Sequence, residues 1–208
     1  MNFSLHQFKK RLLGHAVRLS SLAAVIAIVI ATGLASSWHL VEAGFGLTTR
    51  TVGPWVMWTS AARTDADPYT RAHFARIGTM VLSTEVAHTY LARTDNDGLK
   101  LHSSCDYAIE GRGFDASWWS LAAFDEHGRL IANPMERHAF TSDTIAAGPD
   151  GRFAVTLARD ARPGNWLPTG GAGRLAMMLT LFDPAAQQVA ADTPRAPGLP
   201  TIRKVLCR

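Results

Sequence analysis

The side chains of this sequence with the means to do chemistry are His73, His88, His102, His127 and His138, the cysteines Cys105 and Cys207, and a few carboxylates. Histidine serves as a general base or a metal ligand near neutral pH. Zinc and hydrolase sites, however, place it at spacings such as His-x-His or His-Glu-x-x-His, which these five do not form. A Gly-x-Ser-x-Gly nucleophile elbow is also missing. Asp95-Asn96-Asp97-Gly98 opens like a calcium loop, but the Glu that closes such a loop is not at the required distance, so it reads as a hairpin turn. Gly170-Gly171-Ala172-Gly173 has the backbone donors for an anion, yet it leads into a strand where a phosphate loop opens a helix, so a tight turn is expected. Asp65 and Asp67 suit the amino terminus of a helix. No catalytic residue, no metal ligand and no cofactor is assigned.

Trp119, Trp166 and Asn165 are the candidate ligand-binding residues, because indole faces platform a sugar or an apolar ligand. Core packing is the competing reading. Adjacent strand residues face opposite ways, so one of Trp118 and Trp119 is expected inside and the other semi-exposed, while Trp166 anchors a loop whose exit Pro168 fixes. Cys105 and Cys207 are the disulfide candidates: in an oxidising compartment two cysteines are most simply a pair, and a bridge closing a loop of about 100 residues ties down the tail. Two unpaired thiols are the alternative.

These residues need a scaffold, and the chain reads as short strands. Asp67-Pro68 starts a short helix running to Arg76, with Gly78 ending it. Val86 to Arg93 and Leu99 to Glu110 flank the Asp95–Gly98 turn. Cys105, Tyr107 and Ile109 share one face of the second arm. Trp118 to Phe124 and Arg129 to Ala132 flank a second turn, Asp125-Glu126-His127-Gly128. Further strands are expected at His138 to Ser142, Arg152 to Ala158, and Arg174 to Phe182, which is apolar on both faces and therefore central. Asp183-Pro184 ends that strand, Ala185 to Pro200 is a connector, and Leu199 to Leu206 is a terminal strand.

The 208 residues carry 47% hydrophobic and 18% charged side chains, a composition that excludes a disordered tail or a polytopic membrane protein. The net charge of +4 comes wholly from Lys9, Lys10, Arg11 and Arg18, ahead of the first acidic residue, Glu42. Nucleic acid is therefore not an expected partner, since the excess sits beside an apolar run and not on a phosphate-binding face. Leu19 to Val41 can cross a bilayer once, at roughly 30 Å. Positive charge before it and Glu42 after it put the amino terminus in the cytoplasm. The expected layout is a cytoplasmic basic segment (1–18), a transmembrane helix (19–41), a juxtamembrane loop with a short helix (42–78) and an exported β-sandwich domain (79–208). A cleaved signal ending near Ala35-Ser36-Ser37 is the alternative, disfavoured by the length of the run.

The stretch WWSLAAFDEHGRLIANPMERHAF, the turn GPDG and RPGNWLPTGGAGRLAMMLTLFDP resemble the uncharacterised bacterial family known as domain of unknown function 1214, over approximately residues 75 to 185. Asn165-Trp166-Leu167-Pro168 is the most specific element. The layout is similar to short, membrane-anchored members. The resemblance implies a mainly β, jelly-roll-like antiparallel sandwich, preceded here by one transmembrane helix and a short helix. It implies no reaction, and it points to a separate envelope partner carrying the companion domain 1254. The expected function is that of a single-pass inner-membrane protein with a periplasmic interaction or accessory module. The alternative is a periplasmic carbohydrate- or small-ligand-binding protein or hydrolase with a Trp-lined cleft.

Overall fold

A computed structural model describes residues 3–182 and 198–208, with side chains from Arg18 onward. The expectations for Asp183-Pro184 and for most of the 185–200 connector lie outside the described residues, as do the side chains of Lys9, Lys10 and Arg11. The chain divides into two units, residues 1–44 and 45–208.

The first unit is a single helix, α1 (Phe3–Ala43). Its part Arg18–Ala43 is long and apolar enough to cross a membrane, and none of it is buried against protein. Hydroxyls within the run turn back on the helix. Thr32 Oγ1 donates to the Ile28 carbonyl at 2.8 Å and Ser36 Oγ to the Gly33 carbonyl at 2.9 Å, so both donors are satisfied within the helix.

The second unit contains β1 (Thr49–Val52), β2 (Trp55–Trp58), α2 (Pro68–Ile77), β3 (Ala87–Ala92), β4 (Cys105–Arg112), β5 (Trp118–Asp125), β6 (Ala139–Thr141), β7 (Arg152–Ala158), β8 (Asn165–Pro168), β9 (Leu175–Phe182) and β10 (Thr201–Cys207). They build a six-stranded sheet in the order β1-β2-β3-β9-β5-β6 and a four-stranded sheet in the order β10-β4-β7-β8. The unit is thus mainly β and sandwich-like, and the two inner faces share one apolar core. Trp119 of β5 stacks on Phe153 of β7 at 5.3 Å between ring centroids, with Phe114 edge-on to the same indole at 5.2 Å. β9 lies between β3 and β5, which explains why Leu175, Met177, Leu179 and Leu181 are apolar and the intervening positions nearly so.

α2 forms where expected. Asp67 Oδ1 accepts from the backbone N–H groups of Tyr69 and Thr70, Pro68 occupies the first turn, and Gly78 ends the helix at φ +64°. Trp58 of β2 stacks on His73 at 4.1 Å.

Four features depart from the strand reading. The segment expected to be a loop before α2 holds the β1–β2 hairpin, turned by Gly53 at φ +57° and Pro54. Its Trp55 is fully buried, with Nε1 donating to the Pro200 carbonyl at 2.7 Å. The Asp95–Gly98 turn does form: Asp95 Oδ1 accepts from the N–H groups of Asp97 and Leu99, and Gly98 takes φ +80°. Its arms pair only briefly, through the antiparallel Thr94–Lys100 bridge and the Leu101 N–H donating to the Arg93 carbonyl. Both neighbours of β3 are already taken by β2 and β9, so the chain leaves after Leu101 and β4 joins the other sheet. After the Asp125–Gly128 turn, the expected strand from Arg129 shrinks to a single bridge, Phe124 with Leu130. Finally, β8 runs parallel to β7 in an otherwise antiparallel framework. That is feasible with a short loop because β8 has only four residues, so the return path is about 10 Å.

Cys105 and Cys207 face each other directly in the β4–β10 register and are disulfide-bonded. The bridge spans 102 positions and holds an edge strand at its end. Replacing Cys207 with Ser is expected to lower unfolding stability by about 2–4 kcal/mol and to speed amide exchange along β10. Denaturant titration of the detergent-solubilised chain, with exchange read by mass spectrometry, checks both effects.

Candidate functional site

An open groove of about 580 Å³ lies beside β6, lined by Glu136, Arg137, His138, Phe140, Thr144 and Gly164 among others. Asn133 builds its rim. The amide Nδ2 donates to the carbonyls of Ile131 and Arg137, and Oδ1 accepts from the Arg137 N–H, closing a loop in which Glu136 adopts φ +49°. Arg137 reaches across: its guanidinium lies 5.9 Å from the Phe140 ring centroid and donates to the Trp166 carbonyl at 3.4 Å. β6 ends one sheet and β8 the other, so this cation spans the two sheet edges. The groove therefore presents a guanidinium, an imidazole and a carboxylate on an open surface.

The sequence-designated residues are not brought together. Trp119 is only 4% exposed and sits in the core. Trp118, as the alternation requires, is half-buried, with Nε1 donating to Asp143 Oδ2 at 2.9 Å. Asn165 is buried and fully engaged. Its Oδ1 accepts from the Ala146 N–H at 2.9 Å, and Nδ2 donates to the Ala146 and Ala154 carbonyls, stitching the loop after β6 to β7 and β8. Trp166 points to the side opposite Asn165 and Leu167. It is half-buried, and its Nε1 donates to the Ala158 carbonyl at 3.0 Å. Trp166 is thus the member of the trio that borders the groove, through its backbone.

The histidines are scattered over different elements, and among the described residues no group of three or more His, Cys, Asp or Glu converges on a point. One pairing escaped the motif search: His102 Nδ1 and Ser104 Oγ lie 2.9 Å apart. The same Nδ1 also accepts from the Ser104 N–H at 3.2 Å, which is the geometry of a local turn. His88 on β3 is 7% exposed, and burial, reinforced by the positive charge of Arg50, holds its pKa below the ordinary value.

A two-sheet β domain without an assembled catalytic constellation among its described residues is the class this geometry defines. Residues 86–186 match the family described as "Protein of unknown function (DUF1214)", so the resemblance read from residues 118–140, the GPDG turn and residues 162–184 holds. The crystal structure of the VPA0106 protein from Vibrio parahaemolyticus superposes with a TM-score of 0.57 at 20% identity, over 85% of this chain and 43% of that one. A crystal structure of an uncharacterized protein from Burkholderia cenocepacia gives 0.41 at 16% identity, over 70% of this chain and 46% of that one. The first likeness shows the fold alone, and this chain spans less than half the length of either protein. No curated protein matches the sequence.

Two outcomes follow. Because the folded state resists protonating His88, the unfolded chain binds more protons below about pH 6.5, and stability falls as pH drops from there toward the depressed folded pKa. His88→Gln should flatten that slope in thermal melts run from pH 7.5 to pH 4.5, values taken about one unit or more either side of the ordinary histidine range. Trp119→Ala should cost about 3–5 kcal/mol, the range for emptying a core aromatic, whereas Arg137→Ala should leave the melting midpoint nearly unchanged.

Proposed function

We propose that this chain is a single-pass bacterial inner-membrane protein, amino terminus in the cytoplasm, whose periplasmic β-sandwich is an interaction or accessory module of the cell envelope. The observation that carries the reading is the conjunction of an unburied apolar helix with a disulfide in the following unit. A bilayer covers the first, and an oxidising compartment sustains the second. The basic residues before Leu19 orient the helix.

An interaction role fits the interior, where side chains of both sheets, Trp119 among them, pack into one apolar core. The polar groove at the β6 and β8 edges is the surface on which this role would act, and a partner carrying the companion domain 1254 is the protein we expect there. A carbohydrate- or small-ligand-binding reading draws no comparable support, since the Asn165 amide is already spent on backbone partners.

The full-length protein should sediment with membranes and resist alkaline extraction. Protease added to spheroplasts should remove the domain, and mild-detergent purification should retain a stoichiometric envelope protein that Arg137→Glu releases. A solitary monomer with an intact membrane anchor would overturn the accessory role and leave the topology standing.

A further inference from the structure

We propose that α2 and the apolar segments flanking it, around Leu47 and Ile77–Leu82, rest in the interfacial layer of the bilayer that α1 crosses. The proposal rests on the reading of α1 as a membrane anchor. It adds a second, peripheral membrane contact made by the exported domain itself.

Exposure is the first argument. Met80 is 100% and Leu47 84% exposed, and Ile77, Leu82 and Val86 are exposed as well. Of the ten large apolar side chains that residues 45–208 expose among the described positions, these five lie in two short stretches bordering one helix. Isolated exposed apolar residues need no explanation, but a cluster marks a contact surface. Alongside α2 the 79–81 segment forms a shallow groove of about 300 Å³, lined by Ala66, Phe74, Met80 and Val81. Thr70 is the one buried residue of the helix, and His73 and Phe74 pack on Trp58.

Covalent reach identifies the occupant. Phe45 follows Ala43, the last residue of α1, by two positions, and its ring meets Tyr69 in the first turn of α2 edge-on at 5.6 Å. Leu47 lies four residues beyond the helix end, so chain length alone keeps it within about 14 Å of that end. A bilayer surface is thus within reach of this patch in every copy of the protein.

Charge agrees. α2 carries Arg71 and Arg76, both exposed, and no carboxylate. Apolar side chains beside an arginine-bearing helix match an interface in which hydrocarbon takes the former and lipid phosphates the latter.

The test uses the full-length chain reconstituted in phosphatidylethanolamine/phosphatidylglycerol vesicles, with an environment-sensitive fluorophore at Met80→Cys, at Ile28→Cys in α1, or at Glu126→Cys in the turn after β5. Both native cysteines are bridged, and all three positions are exposed, so labelling leaves the fold intact. We expect the Met80 label to shift to the blue and to be quenched by brominated lipid, less than the Ile28 label and more than the Glu126 label. If the Met80 label follows Glu126 and answers only to aqueous iodide while Ile28 is quenched by lipid, the anchor stands and the proposal falls. Shielding of Met80 from iodide without lipid quenching would mean that protein covers the patch, and would also overturn it. Loss of lipid quenching at Ile28 would remove the anchor reading and the proposal together.

Discussion

The stack of Trp119 on Phe153 joins the two sheets across their interior, and the rest of the domain is arranged around keeping that contact dry. The two rings come from different sheets, and Phe114 closes the indole edge. Around them Leu121, Leu179, Val155, Leu157 and Ile202 complete a core in which the backbone polar groups are consumed by strand ladders.

The sheet edges are managed. β6 has three residues and β8 four, the latter ending in Pro168, so neither offers a long ladder for a stray strand. β10, the longer edge, presents Arg203 and Lys204 to solvent. It is held at its start by the Trp55 indole on Pro200 and by Asn96 Oδ1, which accepts from the Ile202 N–H, and at its end by the bridge to Cys105. The span between β6 and β8 is instead crossed by Arg137, a polar closure that leaves donors at the surface.

Local signals were the readable part of the fold. Asp67-Pro68 with Gly78, Asp95 with Gly98, and the alternation of β4 depend on neighbours within a few residues, so their physics is contained in short windows. The apolar run of β9 announced a central strand for the same reason. The β1–β2 hairpin was missed because Trp55-Val56-Met57-Trp58 is too short a window to separate strand from loop. Sheet assignment was hidden because it depends on which ladder edges are already occupied, and no local pattern encodes that. The site was less legible still: Trp119 and Asn165 stood out by residue type, yet their roles are set by partners 34 and 19 positions away, Phe153 and Ala146.

The pairing of β4 with β10 also imposes an order on assembly. β10 follows every other described strand, so during synthesis β4 waits with one open edge and with the Cys105 thiol unpaired. The four-stranded sheet is thus completed by its last-arriving member, and the bridge records that event chemically. An oxidised Cys105–Cys207 pair thus marks a chain in which β4 and β10 have met in register. A stalled or clipped chain would carry instead a reactive thiol beside an unpaired strand, the two features by which misassembled exported proteins cross-link and aggregate.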